Sequence, residues 1–125
     1  MKKAKMLGVG AALVVLLGFL VGCASVPPAS FTPGTYRGYA MGGHGPIAVE
    51  VVFSQASIVS ITVVAQGEDP DYAAPAFNAM PGRIIAAQSL AVDTVAGATA
   101  TSRAIIHAVS DAAHQAGVNP MSLWR

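Results

Sequence analysis

The sequence is poor in cysteine and in charged residues, and each shortage excludes particular classes of protein. Cys23 is the only cysteine among 125 residues, which excludes an intramolecular disulfide framework, a cysteine-held iron–sulfur cluster and a CxxCH haem site. Charged residues make up 10% of the chain, too few for a disordered acidic or basic tail protein. From residue 23 onward, four arginines oppose six acids, a balance of −2. A basic nucleic-acid-binding surface is therefore excluded.

The N-terminus has the pattern of a secretion signal. Three lysines precede an apolar run of 16 residues from Met6 to Val21, which is shorter than the roughly 20 residues of a spanning helix but suits a cleaved signal. Leu20-Val21-Gly22-Cys23 resembles the lipobox of bacterial lipoproteins, in which the cysteine is lipidated. We therefore expect residues 1–22 to be a lipoprotein signal peptide and the mature chain to be extracytoplasmic, lipid-anchored to the bacterial cell membrane. An uncleaved anchor with an incidental cysteine is the alternative.

The rest of the chain divides into a short connecting segment and one small domain. Residues 23–33 are rich in Pro, Ser and Ala and lack charge, which predicts a tether outside any core. Residues 34–125 are rich in Val, Ile and Ala and suffice for one core.

Apolar periodicity predicts an α+β fold. Strands are predicted at Thr35–Ala40, Ile47–Phe53 and Ile58–Val64, with an antiparallel hairpin joining the last two. A turn at 67–71 precedes two short helices, at 72–80 and 83–89, separated by Pro81-Gly82. The last helix is predicted to begin at an N-cap, Thr101 or Ser102, and to stop at Gly117. This order favours a small antiparallel sheet with helices packed on one face.

A loop of small residues leads into that last helix, from Asp93 to Ser102. Free N–H groups and the positive end of the helix dipole would favour an anion such as a phosphate there. The loop is not a P-loop, because no lysine follows the glycine at the required spacing. A plain Ser/Thr cap with a flexible lead-in is the alternative interpretation.

The same loop resembles the flavinylation motif of the FMN-binding domain family, which reads Asp, two residues, Ser or Thr, then Gly-Ala-Thr, followed by Thr-Ser into a helix. The matching residues are Asp93, Gly97, Ala98, Thr99, Thr101 and Ser102. The turn Gly42-Gly43-His44-Gly45-Pro46 resembles the family's glycine-rich turn, and the resemblance extends over residues 34–117. Ala96 departs from the pattern, since Ser or Thr is usual there.

The resemblance implies that a flavin transferase moves FMN from FAD onto the Thr99 hydroxyl, forming a phosphoester. Asp93 would help the transferase recognise the loop or hold the loop through hydrogen bonds to backbone N–H groups. Gly43, His44, Gly45 and Pro46 would contact the flavin, although a plain tight turn is the alternative.

The implied function is an extracytoplasmic electron carrier rather than a stand-alone enzyme, with a membrane redox protein or quinol as donor. The alternatives are an accessory flavoprotein subunit of a larger membrane redox complex and a flavin-free binding lipoprotein of the same fold. No Rossmann fingerprint and no nucleophile–base–orienter set is present, so neither a dinucleotide site nor hydrolase chemistry is expected.

Two further groups of residues predict structure rather than chemistry. His107, Asp111 and His114 share a face of the last helix, and we expect a solvated His–Asp pair there and no metal site. The aromatic residues are expected to pack in the core or at its edge: Tyr36, Tyr39, Phe53, Phe77 and Trp124.

Overall fold

The computed structural model describes residues 30–67 and 70–125, so the predicted signal peptide, Cys23 and most of the predicted tether lie outside the described residues. The elements along the chain are β1 (Gly34–Met41), β2 (Pro46–Phe53), β3 (Ile58–Gln66), α1 (Pro70–Ala87), α2 (Thr99–Gln115) and a final 3₁₀ turn (Pro120–Leu123). The strands form one antiparallel sheet in the order β1-β2-β3. The predicted α+β fold is confirmed. No helix among the described residues is long and apolar enough to cross a membrane.

The central strand, β2, carries the core side of the sheet. Ile47, Val49, Val51 and Phe53 alternate along β2, and each is at most 2% exposed. Burying each of these side chains contributes roughly 1.5–3 kcal/mol relative to leaving it in water. All three strands occur where alternation predicted them. β1 extends one residue further at each end, β2 begins one residue earlier and β3 ends two residues later. The two strand ends joined by the hairpin, Phe53 and Ile58, are as predicted.

Helix α1 is continuous, and the prediction of two short helices was wrong. Pro75 and Pro81 both lie inside α1, although an interior proline costs about 3 kcal/mol because it lacks an N–H donor. The helix persists because Ala76, Met80 and Ile84, at helical spacing, are all fully buried. Tertiary packing therefore outweighs the local signal of Pro81. The predicted turn also ends earlier, since Pro70 already begins the helix.

Helix α2 packs closely on β1, and Gly38 permits this contact. A Cβ atom at Gly38 would lie 1.8 Å from the carbonyl oxygen of Ala108, so no other residue fits there without moving the helix or the strand. The two elements run in opposite directions, because Thr32 N–H donates to Ala116 O while Tyr39 N–H donates to Asp111. The end of β1 and the start of α2 therefore lie at the same end of the domain.

Two side chains of α2 bond to the edge of β1 that is not paired with β2. Asp111 Oδ2 accepts from the Tyr39 N–H at 3.0 Å, and Gln115 Nε2 donates to the Arg37 carbonyl at 2.7 Å. Asp111 therefore bonds to the sheet edge rather than to the predicted histidine partner. The described residues contain no group of three or more potential metal-ligating side chains. Both His107 and His114 are exposed, as expected for a solvated face.

Phe31, a residue of the predicted tether, belongs to the core. Phe31 is 4% exposed and stacks on Phe53 with ring centroids 4.3 Å apart. Its N–H donates to Gln55 O at 2.9 Å. Phe31 is buried although the composition around it predicts a tether, because a large aromatic side chain is stabilised by burial. Tyr36 and Phe77 pack partly against the core, whereas Tyr39 and Trp124 are exposed.

Candidate cofactor attachment site

Helix α2 begins at Thr99, two residues before Thr101 and three before Ser102, the two predicted N-cap residues. The N-cap is Ala98, which offers no side-chain hydrogen bond to the first turn. The prediction that Thr101 or Ser102 caps the helix was wrong, because both side chains are buried inside it, at 6% and 0% exposure. Thr99 is therefore the first helical residue rather than part of the lead-in loop.

Thr99 is exposed at an uncapped helix N-terminus. The first intrahelical bond runs from Ser102 N–H to Ala98 O at 2.9 Å. The N–H groups of Thr99, Ala100 and Thr101 therefore have no acceptor within the helix. Together with the helix dipole, these donors favour a negatively charged group beside the Thr99 hydroxyl.

An exposed arginine lies one turn further along α2. Arg103 is four residues after Thr99, so the two side chains occupy neighbouring positions on one face of the helix. The first turn of α2 contains no acidic residue. A cation this close to a helix N-terminus opposes the dipole unless an anion is bound between them. The sequence analysis did not identify Arg103 as a site residue. A basic residue near a helix start whose first turn has no acidic residue is nevertheless a pattern visible in the sequence.

A turn stabilised by Ser102 presents Thr99. Ala98 N–H donates to Val95 O at 3.0 Å, and Gly97 at the third position of this turn has a φ of +80°. That geometry is typical of a type II turn, in which glycine is favoured at the third position. The fully buried Ser102 hydroxyl accepts from Val95 N–H at 3.0 Å and donates to Ala98 O at 2.8 Å. Ser102 thus joins the turn to the helix and has a structural role in the site.

The other connection of the loop comes from Arg83 on α1. Its Nη1 donates to the carbonyl oxygen of Asp93 at 2.9 Å. Asp93 is exposed, and within the part of the chain that the structure describes its carboxylate makes no hydrogen bond. Ser102 and Arg83 therefore hold the loop, and the Asp93 side chain takes no part in holding it.

An open groove of about 840 Å³ lies between the last turns of α1 and the loop. Its walls are mostly small side chains, with one cation and one anion: Arg83, Ala86, Ala87, Ala91, Asp93 and Ala96. Most of its lining residues are exposed, so the groove is an open surface depression. The groove begins at Ala96, three residues before Thr99, and no sequence pattern indicated it.

The glycine-rich turn lies at the same end of the domain as Thr99, because β1 and α2 are antiparallel. Gly42 N–H donates to Gly45 O at 2.8 Å, which closes a tight turn. A Cβ atom at Gly45 would lie 3.3 Å from the Cα of Gly67 after β3. Gly45 therefore lies in close contact with Gly67. His44 is exposed, and Pro46 already begins β2.

These features agree with the relationships of the chain to known proteins. The model of the FMN-binding domain family matches residues 42–114. The chain is 38% identical over 96 residues to an NADH:acrylate oxidoreductase of Vibrio harveyi, covering 77% of this chain and 10% of that protein. It is 42% identical over 82 residues to an uncharacterized protein of Treponema pallidum (strain Nichols), covering 66% of this chain and 23% of that protein. The chain thus spans less than a quarter of either relative's length. The chain therefore belongs to the FMN-binding domain family.

Proposed function

We propose that this chain is a lipid-anchored, extracytoplasmic electron carrier whose FMN is linked covalently to Thr99. The observation that carries the proposal is the exposed Thr99 hydroxyl at the first residue of a helix without a side-chain cap. A buried Thr101 and a buried, doubly hydrogen-bonded Ser102 are poor acceptors for a bulky group. Of the three hydroxyls in the motif, only that of Thr99 is open to a second enzyme.

The attachment reaction needs a donor and an acceptor oxygen. In the proposed step a flavin transferase uses FAD: the Thr99 oxygen bonds to the FMN phosphorus, the pyrophosphate P–O bond breaks and AMP leaves. The hydroxyl proton passes to a base of the transferase. The resulting phosphodiester keeps one negative charge, which the first-turn N–H groups and Arg103 stabilise. Dipole stabilisation at an exposed helix end is about 0.3–1 kcal/mol. The residues present therefore fit an FMN phosphate.

Bound FMN would supply reversible electron transfer, and linkage through the phosphate leaves its ring unaltered. The protein contributes an attachment point and a fixed loop. Outside the cytoplasm, a covalent bond prevents loss of the cofactor by diffusion, which fits lipidation at Cys23. The proposed donor is a membrane redox protein or a quinol, and the acceptor is an extracytoplasmic partner.

The lengths of the relatives favour a second candidate, an accessory role within a larger redox complex. In the NADH:acrylate oxidoreductase, the matching region makes up 10% of the protein, so this type of domain there occurs beside other modules. Under this alternative the chemistry at Thr99 is the same, but the partner is obligatory. Co-purification from the native membrane distinguishes the two: a free carrier is recovered alone, whereas a subunit is recovered in a stable complex.

The experiment that tests the proposal is mass spectrometry of the chain after co-expression with a flavin transferase. We expect one added FMN, mapped by peptide analysis to Thr99. Thr99→Val gives a folded, colourless protein, and the matched control Thr101→Val stays covalently yellow because its side chain is not the acceptor. FMN found on Thr101 or Ser102, or a Thr99→Val protein that remains covalently yellow, contradicts the assignment.

A further inference from the structure

We propose that the outer face of the sheet binds a second copy of this chain anchored in the same membrane. The inference rests on the proposed lipid anchor at Cys23. The outer face is turned away from the buried residues of β2, so it consists of the residues that alternate with them and of their partners on β1. On β2 these are Pro46, Ala48, Glu50 and Val52, and on β1 they are Met41, Tyr39, Arg37 and Thr35.

Large apolar side chains are exposed on the outer face. Tyr39 is 57% exposed and Met41 is 74% exposed. None of the described helices covers them, because Gly38, which lies between Arg37 and Tyr39 and faces the other way, is the residue that contacts α2. Exposed apolar side chains that lie together on one face mark an interaction surface. The sheet therefore has one face packed on the helices and one face open to a partner.

The charges of the outer face make it complementary to itself. Arg37 and Glu50 are its only charged residues in the part of the chain that the structure describes, and their side chains lie 3.3 Å apart, both more than 40% exposed. A two-fold axis parallel to the strands, between β1 and β2, places Arg37 against the partner's Glu50 and Glu50 against the partner's Arg37. A two-fold axis across the strands opposes like charges instead. Charge complementarity thus favours a second copy and selects the first axis.

The same axis matches large side chains with small ones. Tyr39 is paired with Ala48 and Met41 with Pro46 at the same levels of the sheet. When β1 of one copy lies on β2 of the other, Tyr39 therefore faces the partner's Ala48, and Met41 faces the partner's Pro46. Large side chains opposite small ones allow two layers to interdigitate. Two sheets can then pack face to face at the usual spacing of about 10 Å.

A dimer paired through a sheet edge is the competing arrangement, and side chains of this chain already bond to both edges. Asp111 and Gln115 bond to the edge of β1. At β3, the Gln88 side chain accepts from Ile58 N–H at 2.7 Å and donates to Ile58 O at 2.8 Å, as a neighbouring strand would. Two irregularities in the register of β3 further disfavour pairing along that edge.

The size of the outer face explains why the dimer needs a membrane. Three strands of eight or nine residues cover a flat area of roughly 370 Å² in each copy. Two copies therefore bury at most roughly 740 Å² of flat area, below the approximately 1,200 Å² of stable interfaces. Such a dimer is weak in solution and forms where anchoring to one surface raises the local concentration. The selected axis keeps the starts of both β1 strands at one end, so both anchored segments reach the same bilayer.

The test uses the full lipidated chain in phosphatidylcholine vesicles at low density, with acylation of Cys23 first verified by mass spectrometry. Arg125→Cys, at an exposed position, provides a free thiol for a donor or an acceptor dye in every sample. Energy transfer between labelled copies then measures their association. We expect transfer above the level calculated for randomly distributed copies, and a reduction in Tyr39→Ser, which removes the aromatic ring from the outer face.

Charge reversal provides the second measurement. Arg37→Glu alone and Glu50→Arg alone each oppose like charges at two contacts of a homodimer, and we expect each to weaken association at least about tenfold. Mixing the two variants in one vesicle pairs opposite charges at both contacts, so energy transfer between them should return. An ion pair within one chain cannot produce this rescue, because each variant chain still carries two like charges. Asn78→Glu, at an exposed position of α1 away from the outer face, is the control and should match the wild type.

Three results would overturn the dimer while leaving the lipid anchor intact. The first is energy transfer at the random level in the acylated wild type. The second is a mixture of the two charge variants that shows no more transfer than either variant alone. The third is quenching of a Tyr39→Trp variant by brominated phosphatidylcholine without energy transfer, which would place the outer face on the bilayer. Absence of acylation at Cys23 would overturn the proposed anchor and this inference together.

Discussion

Ser102→Ala tests whether one buried hydroxyl holds the attachment loop on α2. The substitution removes the bond that Ser102 accepts from Val95 N–H and the one that it donates to Ala98 O. A hydrogen bond contributes roughly 0.5–1.5 kcal/mol net, so the two together contribute about 1–3 kcal/mol to the free energy of unfolding. The Val95 N–H, at a half-buried residue, is left without its acceptor.

Helix propensity acts in the opposite direction, because alanine is a better helix former than serine. Ser110→Ala is the matched control: it lies in the same helix, half-buried, and Ser110 makes no side-chain hydrogen bond to the described residues. The difference between the two variants isolates the hydrogen bonds. For a domain of this size we expect Ser102→Ala to melt at least about 4 °C below Ser110→Ala.

The assay is thermal unfolding followed by circular dichroism, combined with the rate of FMN incorporation by the transferase. We expect slower incorporation into Ser102→Ala, since the turn that presents Thr99 is no longer held to the helix. A melting temperature equal to that of Ser110→Ala, with an unchanged incorporation rate, would refute the role given to Ser102.

Three further predictions concern the fold and the anchor. Gly38→Ala should unfold the domain or shift α2, because its Cβ would lie 1.8 Å from Ala108 O. The control Gly82→Ala, whose Cβ meets no atom within 4 Å, should stabilise α1 by up to ~1 kcal/mol. Chemical denaturation measures both variants, and equal stabilities would contradict the close packing of α2 on β1. Phe31→Ala should lower the free energy of unfolding by about 3–5 kcal/mol. A change below ~1 kcal/mol would contradict the place of Phe31 in the core. Cys23→Ser should block lipidation and cleavage, and normal membrane extraction of that variant would contradict the lipoprotein proposal.

The sheet was predictable from sequence because its signal is local. Ile47, Val49, Val51 and Phe53 alternate with residues on the other face, and period-2 alternation is typical of a strand with one buried face. The flavin-binding family was predictable for a different reason: the motif around Gly97 and Thr99 is a short, specific pattern. No comparable local pattern exists for the groove, which arises only when α1 and the loop pack together.

The helix boundaries were less predictable because tertiary contacts decide them. Pro81 is a local stop signal, but the burial of Met80 and Ile84 on either side keeps α1 continuous. Likewise, Thr101 and Ser102 are good capping residues by type, yet the N-cap is Ala98, because the Ser102 hydroxyl is engaged with Val95. Ser and Thr near a helix start can either cap the helix or bond to a neighbouring loop, and residue type alone does not distinguish the two roles.

The burial of Phe31 has a consequence for how far the flavin can travel. Thr32 N–H bonds to Ala116 O at the C-terminal end of α2, so the chain enters the domain at the end opposite Thr99. The 17 residues of α2 separate those ends by about 26 Å. The eight residue steps from Cys23 to Phe31 span at most about 28 Å of chain. For a domain anchored through Cys23, the connecting segment is therefore about as long as the domain measured along α2. A flavin linked to Thr99, as proposed, would then reach the lipid surface in one orientation and a point up to about 54 Å above it in the other, the sum of those two lengths.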